Sequence, residues 1–231
     1  MCGICGFVGK KTGDWDREQV LEEMKDAIRH RGPDDGGSWL SADAALGFRR
    51  LSIIDLETGA QPMENENGDK VLVVNGEIYN YQELREELLK AGHQFKTRSD
   101  TEVLIHGYEE WGSDLLSRLR GMFAFVIWDE EKKELFAARD FFGIKPFYYT
   151  VAGESLIFAS EIKSILKYPE YRKALNEQAL EQFLSFQYSA LEETFFKGIY
   201  RLEPGSFLRW KSGSIILEIQ KYFEPSLRPE T

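Results

Sequence analysis

Met122-Phe123-Ala124-Phe125-Val126-Ile127-Trp128-Asp129 reads as a β-strand, rich in aromatic and β-branched residues. Its apolar positions do not alternate with polar ones. Successive strand residues face opposite sides, so both faces of this strand must be covered by other parts of the chain. A strand of that kind belongs in the middle of a layered structure.

The flanking segments say what the layers are. Residues 3–9 read as a strand punctuated by glycine. A helical pattern follows from about Asp16, with Val20, Met24, Ala27 and Ile28 on one face and Asp14 or Asp16 as its cap. The stretch 31–36 is a loop by composition. Strands are predicted near 38–40 and 45–54, a loop over 57–68, and a strand over 71–74 that enters Asn75-Gly76. Helices are predicted over 81–91, through Leu84, Leu88 and Leu89, and from Ser99 or Asp100 through Val103, Leu104 and Tyr108. Further strands fit 135–139, 147–151 and 156–159, and helices fit 161–166 and 176–186. Adjacent, hairpin-like strands between helices argue against a doubly wound parallel sheet, which alternates strand and helix more regularly. They argue for an α+β sandwich of antiparallel sheets. Residues 223–231, with two prolines, read as a linker after a domain spanning 1–222.

Bulk properties narrow the partners. The 231 residues carry a net charge of −10, which argues against nucleic acid and anionic membrane as partners, since both call for basic patches. At 42% hydrophobic residues the chain can bury a sizeable core. No apolar run approaches membrane-spanning length, and no signal peptide is visible. The two cysteines, Cys2 and Cys5, cannot build a disulfide framework, and a soluble cytoplasmic protein is the expectation.

Cys2 becomes the first residue if Met1 is removed, which its small size permits. A thiol and a free α-amine would then share one residue. An α-amine with a pKa of about 7.7–8.0 is partly neutral near pH 7 and can take the thiol proton without a histidine. An early cysteine is more often simply a small residue. Cys2-Gly3-Ile4-Cys5 also matches a C-x-x-C redox pair or half a zinc site. Zinc needs about two more ligands, and His30, His93 and His106 show no metal-like spacing, so no metal site is predicted.

Two further sites are ambiguous from spacing. Asn75-Gly76 is the strongest short hairpin-turn signal, yet an Asn amide and a Gly N–H are also the donors an oxyanion hole needs. Asp100, in Ser99-Asp100-Thr101-Glu102, is either part of a helix cap with capping-box spacing or a carboxylate for a substrate ammonium. One of Arg49 and Arg50 should point inward, where it wants a carboxylate partner. His30 and Arg31 border a Gly-Pro turn and read as solvated or structural.

Met1-Cys2-Gly3-Ile4-Cys5-Gly6, His30-Arg31-Gly32-Pro33-Asp34 and Arg50-Leu51-Ser52-Ile53-Ile54-Asp55 resemble the class II glutamine amidotransferases, which are N-terminal-nucleophile hydrolases. Gln61-Pro62-Met63, Asn75-Gly76-Glu77-Ile78-Tyr79-Asn80-Tyr81, Ser99-Asp100-Thr101-Glu102, Gly121-Met122-Phe123-Ala124-Phe125, Ala138-Arg139-Asp140 and Gly143-Ile144-Lys145-Pro146 are similar to the asparagine synthetase B family in particular. The resemblance reaches to about Pro225. It implies a four-layer αββα sandwich with two antiparallel sheets.

The resemblance also implies roles. Cys2 would attack the side-chain amide of glutamine, with Asn75 and the Gly76 N–H as oxyanion hole. Arg50 would bind the α-carboxylate, Glu77 and Asp100 the α-ammonium, and Leu51 and Ile53 would line the pocket. Many members carry His before the Arg pair, where Phe48 stands here; others carry Phe. The family's synthetase half makes an aspartyl adenylate, and its S-G-G-x-D-S pyrophosphate loop is absent from these 231 residues. No cofactor is therefore expected for this domain, with ATP and Mg implied only for a C-terminal synthetase domain. A homodimer is a further expectation. Alternatives are an amidotransferase serving another acceptor and a non-catalytic regulatory relative.

Overall fold

A computed structural model describes residues 2–51, 59–188 and 191–225. Twelve strands form among them: β1 (Gly3–Gly9), β2 (Asp35–Leu40), β3 (Ala44–Arg50), β4 (Met63–Glu64), β5 (Lys70–Ile78), β6 (Gly121–Asp129), β7 (Glu134–Arg139), β8 (Tyr148–Ala152), β9 (Ser155–Ala159), β10 (Tyr200–Arg201), β11 (Ser206–Lys211) and β12 (Leu217–Lys221). The α-helices are α1 (Arg17–Ala27), α2 (Tyr81–Ala91), α3 (Val103–Trp111), α4 (Leu115–Arg118), α5 (Ile162–Ile165) and α6 (Glu177–Phe186). The strands make two six-stranded sheets, ordered β10-β8-β9-β1-β3-β2 and β12-β11-β7-β6-β5-β4. Every pairing within them is antiparallel.

Three apolar layers separate four structural ones. Ile4, Val8, Leu46 and Phe48 of the first sheet meet Val71, Val73, Val126 and Trp128 of the second. On the outer side of the second sheet, Leu72, Val74, Phe123, Phe125 and Ile127 pack against Leu84 and Leu88 of α2 and Val103 and Leu104 of α3. On the outer side of the first, Cys5, Phe7 and Ala45 pack against Leu21 and Met24 of α1 and Ile165 of α5. This is the αββα sandwich. The β6 stretch behaves as its composition requires: Ala124, Val126 and Trp128 face the other sheet, and Phe123, Phe125 and Ile127 face the helices. Each such fully buried large side chain contributes about 1.5–3 kcal/mol.

Local signals hold at several ends. Asp16 caps α1 by accepting from the Gln19 N–H at 2.8 Å. Gly92 ends α2 in the left-handed region, φ 107°. Asn176 caps α6 through the Ala179 N–H. Asp140 organises the turn after β7, accepting from the backbone N–H groups of Phe123, Phe142, Ile144 and Lys145.

The structure adds β10, β11 and β12 where no strand was expected, and it departs from expectation in four further places. The loop expected over 31–36 yields to β2 at Asp35, and the one over 57–68 contains β4. Asn75-Gly76 makes no turn: β5 runs straight through it, with Asn75 opposite Ala124 and Gly76 opposite Phe123. A side chain at Gly76 would meet the Met122 carbonyl oxygen at 2.5 Å, so glycine here serves a close approach of β5 and β6 rather than a bend. The capping box is also only half made. Ser99 accepts from the Thr101 N–H, but Glu102 turns away to accept from the Lys96 and Thr97 N–H groups at 2.6 and 2.8 Å.

Candidate active site

The pleat of the strands places the site residues. In β1, Ile4 and Val8 face the space between the sheets and Cys5 and Phe7 face α1. Cys2, two residues before Ile4, follows the same side and packs against the inter-sheet core. In β3, Leu46 and Phe48 face inward, and so does Arg50. Arg49 goes the other way, to the Lys25 carbonyl and the Asp26 carboxylate on α1. In β5 the inward positions are Val71 and Val73, which puts Asn75 and Glu77 on that side as well.

Cys2, Arg50, Leu51, Gly76, Glu77 and Asp100 line one open cleft, with Phe48, Gly59, Gln61, Val74, Ser99 and Thr101 also in its wall. Asn75 lies beneath this wall, 1% exposed. Ile53 lies outside the described residues, as does Met1. Cys2 and Cys5 are free thiols on opposite faces of the first sheet, so C-x-x-C does not form a facing pair.

Polar contacts order the cleft. The Cys2 thiol donates to the Leu51 carbonyl oxygen at 3.7 Å. Arg31, an addition to the expected residues, donates from Nε to the Cys2 carbonyl oxygen at 2.9 Å and from Nη1 to Glu161 at 3.0 Å. Glu161 also meets His30 at 2.8 Å. The Ile4 N–H donates to Ser160 Oγ at 3.0 Å, and the Ser160 N–H returns to the Ile4 carbonyl, pinning the strand behind the thiol. The Gln61 Oε1 accepts from the Val74 N–H at 2.7 Å and braces β5 where it enters the site. Arg31 and Gln61 both stand in motifs quoted for the resemblance, which was the available signal for them.

The electrostatics are uneven. Asp100 is buried and accepts from the Ile78 N–H at 2.7 Å. Burial raises its pKa above the ordinary carboxylate value, the Ile78 and Asp100 N–H groups oppose this, and the charge of nearby Glu77 adds to the rise. Glu77 and Asp100 thus bring two acidic side chains to the same part of the cleft. The Asn75 amide is the other unsettled group: its Nδ2 is buried with no hydrogen-bond partner among the described residues. Leaving such a donor unpaired costs about 1–3 kcal/mol.

A thiol at the head of a central strand, in a four-layer sandwich of two antiparallel sheets, is the architecture that the resemblance to class II glutamine amidotransferases implied. The chain belongs to the glutamine amidotransferase domain family, which it matches over residues 1–223. It is similar to asparagine synthetase [glutamine-hydrolyzing] 3 of Bacillus subtilis (strain 168), with 41% identity over 226 residues, covering 96% of this chain and 36% of that protein. Asparagine synthetase [glutamine-hydrolyzing] 1 of the same organism is 42% identical over 232 residues, covering 99% and 36%. The chain thus spans about 36% of the length of these curated relatives. Its backbone also matches glutamine phosphoribosylpyrophosphate amidotransferase from B. subtilis, complexed with ADP and GMP. The TM-score is 0.67 at 20% identity, over 97% of this chain and 50% of that one. That likeness supports the fold.

Proposed function

We propose that this domain hydrolyses the side-chain amide of glutamine to glutamate and ammonia through a thioester on Cys2. The observation that carries the reading is the orphaned Asn75 amide, buried beside a cleft that also holds a thiol, a guanidinium and two carboxylates. A tetrahedral oxyanion would satisfy it.

Free glutamine is a zwitterion. Arg50 takes its α-carboxylate, and Glu77 and Asp100 take its α-ammonium, so the amino-acid end is fixed and the side-chain amide is aimed at the sulfur. Positioning of this kind is worth several kcal/mol. The α-amine of Cys2, freed by loss of Met1, accepts the thiol proton. Sulfur adds to the amide carbon, and the oxyanion is held by Asn75 Nδ2 and the Gly76 N–H. The proton passes from the amine to the leaving nitrogen, the C–N bond breaks and ammonia departs. Water then adds to the thioester and restores the thiol and glutamate. Leu51, with Ile53, completes the pocket.

This chemistry calls for no cofactor. The lengths of the relatives support a longer parent protein, in which a C-terminal synthetase domain uses ATP and Mg to activate aspartate and the ammonia completes asparagine. Residues 1–222 are the amidotransferase domain in this reading, and 223–231 lead toward the synthetase domain. A homodimer and a cytoplasmic location complete the proposal; no helix among the described residues is long and apolar enough to cross a membrane.

The test is glutamate release from glutamine by protein whose intact mass shows Met1 removed. Cys2→Ala should abolish it, and undiminished turnover in that variant would sink the mechanism.

A further inference from the structure

Away from the cleft, on the far side of the second sheet, the fold gathers four residues whose spacing in the sequence gave no hint of it. Glu66 comes from the β4–β5 connection, His93 from the segment after α2, and His106 and Glu109 from one face of α3, three residues apart. One ligand atom from each lies within 4.8 Å of all the others. We propose that Glu66, His93, His106 and Glu109 form a structural binding site for one zinc-class divalent transition-metal ion.

The donor chemistry suits such an ion: two imidazoles and two carboxylates, all charge-matched to a dication. The spacing suits it too. A tetrahedron with bonds of ~2.0–2.1 Å has edges of roughly 3.3–3.5 Å. The Nδ1 of His93 is 3.1 Å from Glu66 Oε1 and 3.9 Å from Glu109 Oε2, and the Nδ1 of His106 is 3.2 Å from the other Glu66 oxygen, Oε2, and 3.4 Å from Glu109 Oε2. These values lie around the tetrahedral edge, with Glu66 able to offer either oxygen.

The surroundings match an outer shell. Metal-bound histidines characteristically present their other ring nitrogen to a carboxylate or carbonyl. Here the Nε2 of His106, which makes no hydrogen bond among the described residues, faces Glu102 at 3.5 Å, and the Nε2 of His93 lies 3.6 Å from Glu110, both near enough for a small closure to complete the contact. The remaining oxygen of Glu109 accepts from Asn65 Nδ2 at 2.7 Å and lies 3.9 Å from Lys70 Nζ, while Glu66 Oε1 accepts from the Gln94 N–H at 3.1 Å. His106 is fully enclosed. The competing occupant is a proton. Burial disfavours it, but Glu102, Glu109 and Glu66 outweigh burial and raise the His106 pKa to about 9. A dication satisfies the same carboxylates with better-directed bonds.

The site has a consequence for the cleft. Glu102 bridges His106 and the backbone of Lys96 and Thr97, in the same turn that presents Asp100. A metal here would fasten the β4–β5 connection, the α2–α3 connection and α3 into one unit behind that turn.

The experiment is zinc binding to the full chain, prepared without a histidine tag and stripped with chelator. Calorimetry with zinc sulfate should give one site, elemental analysis one zinc per chain, and the zinc form a higher Tm. Cobalt(II) in its place should show the intense visible bands of four-coordinate geometry. His93→Ala and Glu109→Gln should each lose the stoichiometric ion, with the fold checked by circular dichroism. Glu110→Gln, at a more exposed position, should bind about 10–100-fold more weakly. Zinc retained in His93→Ala but lost in Cys2→Ser would assign it to the active-site thiol and overturn the proposal. So would wild-type protein that takes up no zinc, the outcome for a plain ion-pair cluster.

Discussion

The Arg31 guanidinium and the Cys2 carbonyl oxygen are joined by a hydrogen bond of 2.9 Å, and Glu161 holds the other arm of the same guanidinium. The proposed nucleophile is therefore held through its main chain. Arg31→Ala should lower kcat with KM little changed, because the groups that hold the glutamine ends are left intact. A displacement of the thiol of about 1 Å would cost on the order of a hundredfold. Steady-state kinetics decide this, and a change confined to KM would show that Arg31 has no part in placing the sulfur.

Asn75 separates catalysis from stability. Its Nδ2 has no partner among the described residues in the absence of substrate, so Asn75→Ala removes a buried, unpaired donor along with some packing. Turnover should fall about 10²–10³-fold, while denaturant midpoints shift little. Strong unfolding with near-normal specific activity of the folded fraction would contradict the oxyanion-hole role.

Asp100 makes the opposite separation. Its folded-state pKa is raised, chiefly by burial, with the Glu77 charge contributing. The ionised form therefore carries a cost in the fold that the protonated form does not. Any stability associated with this group is fully present below the ordinary carboxylate pKa and is lost as pH rises through the elevated value. Asp100→Asn, which keeps an oxygen for the Ile78 N–H, should stabilise the ligand-free protein at pH 7 but not at acid pH. The same change should raise KM for glutamine by tenfold or more, since a hydrogen bond to a charged group contributes about 1.5–3 kcal/mol. Thermal melts across pH, paired with kinetics, check both halves; a variant less stable at neutral pH refutes the first.

The two thiols should behave differently. Cys5 is fully buried, and burial pushes its pKa up to about 12, only partly opposed by Ser164 and the charges of Lys25 and Arg49. Native protein at pH 7 should lose one thiol to an alkylating reagent, at Cys2, with loss of activity, and expose the second only in denaturant. Peptide mapping after labelling would reveal any early modification of Cys5.

Much of the layering was legible because burial on two faces leaves a mark. The run Phe123–Trp128 has no polar position, and α1 and α2 show clear apolar stripes. The strand Leu217–Lys221 left no such mark. It is an edge strand whose residues are half-buried or exposed, and its composition does not distinguish it from a loop. Asn75-Gly76 was ambiguous for a different reason. The turn preference is local, whereas the need for glycine comes from the Met122 carbonyl across the sheet, forty-odd residues later in the chain. The histidines show the same limit: His93 and His106 look unrelated until α2 and α3 pack side by side. The cleft residues were found through motifs, and their shared face explains why those motifs are spaced as they are.

That shared face carries a constraint on change. Cys2, Arg50, Asn75 and Glu77 sit at positions of like parity along their strands. Apolar substitution at neighbouring core positions, Gly76 excepted, can be absorbed by repacking. A one-residue insertion or deletion between Val71 and Asn75 cannot, because it would turn the amide toward the helices and send an apolar residue to the substrate. Libraries aimed at altering this domain should therefore keep the lengths of β1, β3 and β5, hold Arg50, Asn75, Gly76 and Glu77 and the close-approach glycines fixed, and place any length variation in the connections.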